Sequence, residues 1–240
     1  MQQKNSIEIA DIHTHILQKI DDGAQSLEEA IALLKSEKEQ GISHIVLTPH
    51  FQLSDISLES FLSERKRLFS ELLEKLEESG LGQDIKLHLG AEVRYDPNLV
   101  YTDIYKLCIE NTSYILLELP VAYPFNFEQT ILWMISQGIT PIIAHVERYS
   151  WLHDNFKLLK QLLKEGVVFQ CNSSSLFIKP YVKIVKKLAR RGYVQLLASD
   201  THNVDNRPPT LEQGLNTLKF KREELIKNSL CVVEDKNIVS

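Results

Sequence analysis

The stretch Ile7-Glu8-Ile9-Ala10-Asp11-Ile12-His13-Thr14-His15 decides the fold. Its first six residues, IEIADI (7–12), are mostly apolar and rich in isoleucine, the composition of a short strand. The strand runs straight into two histidines two positions apart. In extended backbone such residues face the same way, so His13 and His15 leave the strand end together. Six further apolar runs follow: HIVLTP (44–49), IKLHLGAE (85–92), YILLEL (114–119), TPIIAHV (140–146), VVFQCN (167–172) and VQLLASD (194–200).

Helical stretches lie between these runs. Ser26 with Glu29 has the spacing of a capping box and opens a helix that ends at Gly41. The segment 57–79 is strongly helical and stops at Gly80, and 126–137, 154–165 and 179–191 repeat the pattern. A last helix is expected over 211–228. Strand and helix in alternation imply a mainly parallel sheet. Periodicity alone fits an open doubly wound sheet as well as a closed barrel.

The 240 residues are 43% hydrophobic and carry a formal net charge of −5. One domain spanning 1–240 accommodates all seven units. An acidic chain lacks the basic surface that nucleic acid or an anionic membrane rewards, so neither partner is expected. No run of 18 apolar residues exists, so no membrane insertion is expected. Cys108, Cys171 and Cys231 are odd in number and show no CxxC spacing, which fits a reducing cytoplasm.

Ligand-type residues fall at the carboxyl end of every candidate strand. The ends read Asp11-Ile12-His13-Thr14-His15, Thr48-Pro49-His50, Ala91-Glu92, Glu118-Leu119, His145-Val146-Glu147-Arg148, Asn172 and Ser199-Asp200-Thr201-His202. That end of a parallel sheet or barrel is where ligands bind. Five of eight histidines sit there; His44, His88 and His153 do not and read as structural or solvated. Imidazole and carboxylate together suit Zn, Mn or Fe. Competing chemistries fail on counting. A cysteine phosphatase needs arginine six positions after its thiolate, and those positions hold Tyr114, Phe177 and Asn237. No Walker loop, dinucleotide fingerprint or nucleophile elbow is present.

Taken together, HTH (13–15), DDG (21–23), TPH (48–50), GAE (90–92), LLEL (116–119), AHVERY (144–149) and SDTHN (199–203) followed by Arg207 resemble the polymerase and histidinol phosphatase (PHP) family. Within it, the chain is similar to the bacterial metal-dependent protein-tyrosine phosphatases found with capsule and exopolysaccharide synthesis genes. The resemblance implies an α/β fold, a distorted (β/α)7 TIM-like barrel. It implies three divalent metal ions, Mn by family habit, with Zn or Fe compatible with the ligands. His13, His15, Glu92 and Asp200 would hold the first, Glu92, Glu118 and His145 the second, and Asp22, His50 and His202 the third. Arg148 and Arg207 match the family's phosphate-binding arginines. Val146 stands where relatives often have proline, which bears on the aim of Arg148. The implied substrate is a phosphotyrosine protein, an autophosphorylated bacterial tyrosine kinase. A small-molecule phosphatase such as histidinol phosphatase and a non-catalytic metal-binding regulatory barrel remain as alternatives, and a homo-oligomer is left open. Phe51, Tyr95, Tyr123 and Phe125 are candidates to wall a phenyl-accepting pocket or to pack as core and rim.

Overall fold

A computed structural model describes residues 8–238. Seven parallel strand positions follow one another around a curled sheet, in the order of the sequence. The first is β1 (Ala10–Thr14). The second is broken into β2 (His44–Leu47) and β3 (His50–Phe51), and the third into β4 (Lys86–Leu89) and β5 (Glu92–Arg94). Then come β6 (Tyr114–Glu118), β7 (Thr140–Ile143), β8 (Val168–Asn172) and β9 (Leu196–Ala198). Last and first meet through a parallel bridge between Thr14 and Thr201, with His15 N donating to Thr201 O at 2.8 Å and Asp200 N to His13 O at 2.9 Å. This contact selects the distorted (β/α)7 barrel over the open sheet. Of the expected first strand, Ile7 lies outside the described residues; the strand begins at Ala10 and continues to Thr14.

The two broken strands differ from the unbroken runs expected over 44–49 and 85–92, for a local reason. Pro49 has no N–H to give a ladder. Thr48 substitutes with its side chain: Oγ1 accepts from Thr14 N and donates to Thr14 O, each at 3.1 Å. At the second break, Gly90 packs so closely that a Cβ would lie 3.2 Å from Thr48 and Val46 side-chain carbons. Its carbonyl accepts from the buried guanidinium of Arg65 at 2.6 Å. Both breaks turn the strand tips, and with them His50 and Glu92, inward.

Inside the barrel Ala10, Ile12, Val46, Leu116, Ile142, Ala144, Val168, Leu196 and Ala198 pack together, and Val232 with Tyr114 closes the floor. A larger apolar layer lies between strands and helices. The helices are α1 (Leu27–Glu39), α2 (Leu58–Glu78), α3 (Phe127–Ser136), α4 (Ser150–His153), α5 (Phe156–Lys164), α6 (Tyr181–Arg190), α7 (Leu211–Thr217) and α8 (Arg222–Val233). Ser26 caps α1 as its spacing predicts, accepting from Glu29 N, while Glu29 reaches back to Gln25 N at 2.8 Å. The single last helix expected over 211–228 is two, α7 and α8, separated by a turn at Leu218–Lys221. One straight helix cannot press Leu211 and Leu215 on the outer layer and also send Val232 under the barrel. His44 and His153 are buried, not solvated.

Candidate metal centre and its rim

The loop after β1 brings the first carboxylates to the histidines. Ala24 N donates to His15 O at 3.0 Å, which folds Asp21-Asp22-Gly23 back over the strand end. Only glycine fits at 23, since a Cβ there would lie 1.9 Å from His15 O. Asp21 Oδ2 then meets His15 Nδ1 at 2.7 Å and accepts from His50 N at 3.0 Å. Asp22 sits further out, with Oδ1 3.4 Å from His50 Nε2 and 3.3 Å from His202 Nε2.

Glu92 is the centre of the cluster. Its fully buried carboxylate lies 3.3 Å from His13, 3.2 Å from His15, 3.0 Å from His50 and 2.8 Å from His145. Burial pushes its pKa up, but the imidazoles outweigh this and hold it well below the ordinary carboxylate range. Asp200 stands opposite, 3.5 Å from both His13 and His15, with Arg148 and Arg207 on its other oxygen at 3.0 and 2.9 Å. It too is held low despite burial, by His13 and the neighbouring imidazoles. His145 and Asp200 both adopt left-handed backbone, at φ 32° and 55°. Such conformations cost a side-chain-bearing residue about 1–3 kcal/mol and persist where the surroundings demand them.

The sequence-predicted residues therefore come together. His13, His15 and Asp200 offer ligand atoms within 4.8 Å of one another. So do His15, Asp22, His50 and His202, and likewise His50, Glu92 and Glu118. Glu118 is beside His50 here and is paired with Arg94 at 2.7 Å, while His145 reaches Glu92 from the other side. With valine at 146, which is buried, Arg148 reaches Asp200 at 3.0 Å.

The donor set fits divalent cations. His13 Nε2 and His15 Nε2 face each other at 3.2 Å, and two carboxylate oxygens stand within 3.5 Å of both. Carboxylates bring no protons, and each Nε2 at most one, so hydrogen bonds cannot pair these atoms with one another as a cation would. His202 Nε2 is buried and makes no hydrogen bond, although Asp22 Oδ1 is near. Burial and the neighbouring His15 bring the His202 pKa down to about 4, which leaves its lone pair available at neutral pH.

Several further residues support the site, and the sequence assigned none of them a role. Gln170 Oε1 accepts from His145 N at 2.8 Å and lies 3.4 Å from His13 Nδ1. Tyr149 Oη meets His145 Nδ1 at 3.0 Å and accepts from Leu119 N at 2.9 Å. Asn172 donates to Asp200 at 2.5 Å. Asn172 was legible by lying at a strand end and Tyr149 by closing the AHVERY motif, as Asp21 was by its place in the DDG loop. Gln170 sits mid-strand among apolar neighbours and gave no such signal.

A parallel barrel whose carboxyl rim gathers imidazoles, buried carboxylates and two arginines defines a class, the metal-dependent hydrolases that act on phosphate esters. The comparisons narrow it. The chain belongs to the capsular polysaccharide synthesis CpsB/CapC family, whose profile matches residues 9–240. It is 32% identical over 256 residues to the tyrosine-protein phosphatase CpsB of Streptococcus pneumoniae, covering 95% of this chain and 99% of that one. To the tyrosine-protein phosphatase YwqE of Bacillus subtilis it is 31% identical over 218 residues, covering 87% and 83%. A solved structure from work on B. subtilis YwqE and S. pneumoniae CpsB, described as metal-dependent tyrosine phosphatases, superposes with a TM-score of 0.86 at 26% identity and 96% coverage of both chains.

Proposed function

We propose that this chain is a metal-dependent protein-tyrosine phosphatase whose substrate is an autophosphorylated bacterial tyrosine kinase that controls polysaccharide synthesis. The observation that carries the reading is the convergence of Glu92, Asp200 and four imidazoles beside the Arg148–Arg207 pair. In this reading His13, His15, Glu92 and Asp200 would hold one ion, Glu92, Glu118 and His145 a second, and Asp22, His50 and His202 a third. Manganese is the expected metal. When bound, such ions supply Lewis acidity and make hydroxide available near neutral pH.

The chain's own groups do the rest. Arg148 and Arg207 each spend one Nη2 on Asp200, which leaves the remaining N–H donors of two planar forks for phosphoryl oxygens. Those donors strengthen their contacts as charge builds on the oxygens. Asp21 holds the His15 ring through Nδ1, and Gln170 and Tyr149 hold His145, so that Nε2 of each ring points to the carboxylates. The leaving group is a phenolate of pKa about 10, which departs with little protonation. No separate general acid is therefore required.

Location in the cytoplasm belongs to the same reading. It is supported by three buried cysteines that form no disulfide, and no helix among the described residues is long and apolar enough to cross a membrane.

The test is a substrate panel on Mn-loaded protein: a phosphotyrosine peptide, histidinol phosphate and a phosphodiester. The peptide should be turned over fastest, and chelation should abolish that turnover. Preference for histidinol phosphate, or undiminished activity after complete metal removal, would overturn the proposal.

A further inference from the structure

Two cavities open on the rim, and they differ in what they offer a substrate. One, of about 530 Å³, is lined by Asp21, His50, Gln52, Asp55, Arg94 and Glu118, with Ile20, Phe51 and Ile56. Its single arginine is already paired with Glu118. Its acids are taken up as well, Glu118 by Arg94 and Asp21 by His15, so it offers a phosphate no free guanidinium. The other, of about 380 Å³, holds both Arg148 and Arg207, next to Asp200. Its lining also carries three apolar side chains, Phe177, Ile178 and Pro208, among the polar Ser174, Asn206 and Thr210. Phe177 is 53% exposed and Ile178 48%, on a chain that buries most of its large apolar residues.

Phe177 does not sit on a loose loop end. The segment Ser174–Phe177 is a short 3-10 helix pinned from two sides. Glu147, fully buried and next in sequence to Arg148, accepts from Ser175 Oγ at 2.7 Å and from Asn172 N at 3.0 Å. On the other side Ser173 Oγ bonds Thr210 Oγ1 at 2.7 Å, three residues beyond Arg207. These bonds tie the chain before Phe177 to the residue preceding Arg148 and, through Thr210, to the chain just beyond Arg207. Of the four aromatic residues expected from sequence to wall a phenyl pocket, Phe51 and Tyr95 are buried in the core and Tyr123 and Phe125 are exposed, and none lines the arginine cavity.

Resting on the phosphatase reading above, we infer that Phe177 and Ile178 form the aryl subsite: the substrate's phenyl ring lies against them while its phosphoryl group meets Arg148 and Arg207. An aryl phosphate can meet both the arginines and these apolar side chains; a short alkyl phosphate has no ring to lay against them. Selectivity for tyrosine phosphate over small aliphatic phosphates then comes from these side chains, and Glu147 is their positioning residue.

The experiment uses the full chain loaded with Mn. Binding of O-phosphotyrosine and of inorganic phosphate is measured by calorimetry, and kcat/KM is measured on p-nitrophenyl phosphate and on ethyl phosphate. Phe177→Ala should weaken O-phosphotyrosine binding and raise KM for the aryl ester about tenfold, the scale of one lost aromatic contact. Phosphate binding and ethyl phosphate turnover should stay within about twofold, and Phe177→Leu should restore part of the loss. Equal losses on aryl and alkyl substrates, or no loss on either, would overturn the subsite. So would an aryl-selective loss in Ile56→Ala, which would move the ring to the other cavity. Wild-type protein that binds O-phosphotyrosine through Phe177 without hydrolysing it would keep the subsite and remove only the catalytic reading.

Discussion

At the carboxyl rim of the barrel five histidines crowd around Glu92, Asp200 and Asp22; at the opposite end His44 and His88 stack on each other with no carboxylate between them. The floor pair has centroids 5.3 Å apart, planes within 12°, and a single ring-to-ring bond of 3.0 Å. Its nearest acid, the half-exposed Glu8, is 3.6 Å from His44 and already held by Lys86 at 3.2 Å. Burial, the neighbouring His44 and Lys86 bring the His88 pKa down to about 4, which favours the neutral ring, and the pair keeps its one mutual bond. At the rim, Asp21 and Glu92 draw positive charge onto His15 and outweigh burial, the electrostatic demand that a bound cation would meet. Imidazole alone does not make a metal site. Carboxylates within reach, and more lone pairs than protons to fill them, do.

That contrast can be broken by mutation. The largest effect is expected from His13→Ala or Asp200→Ala, each of which should reduce turnover of an aryl phosphate by at least about 10³-fold, while His44→Ala retains rate within a small factor. Comparable losses at both ends would mean that the rim histidines are structural too. Arg148→Ala should lower kcat/KM by about 10²–10³-fold, the usual scale for one transition-state donor. Metal content by mass spectrometry should remain near wild type, which separates a phosphate contact from a ligand.

Gln170→Ala touches no substrate and leaves every proposed ligand in place. Because Gln170 sets His13 and the His145 backbone, metal affinity should fall about 10–100-fold. Recovery of full rate at saturating Mn would identify it as an orienting group, whereas wild-type affinity would remove it from the site. The smallest effect belongs to the floor. His88 binds its proton more weakly folded than unfolded, so its contribution to stability is complete above about 6.5 and is lost as pH falls towards about 4. Melting curves over that window should fall less steeply for His88→Gln than for wild type. Identical slopes would show that His88 does not titrate with folding.

Much of the rim was readable before any coordinate. His13, His15, His50, Glu92, His145, Asp200 and His202 stood at strand ends, and strand ends of one parallel sheet share one face. What was hidden lies off the strand ends or depends on a crossing partner. Gln170 looks like a strand residue, and Glu147 looks like the companion of Arg148 until its carboxylate is found holding Ser175. Phe177 and Ile178 read as ordinary loop apolars, because nothing local says that Arg148 and Arg207 will stand beside them. The break at Gly90 depends on Arg65, 25 residues away on α2.

Alternating apolar runs and helical stretches, with ligand residues at each run's end, determined seven strand–helix units and the chemistry they could carry. Those are short-range properties, set by backbone periodicity and side-chain type. The tertiary structure alone decided that the sheet closes at Thr14 and Thr201, which carboxylate oxygen faces which ring, and that Arg148 and Arg207 share a cavity with Phe177 and Ile178. Each of these depends on residues far apart in sequence, and their distances exist only once packing has fixed every strand against its neighbour.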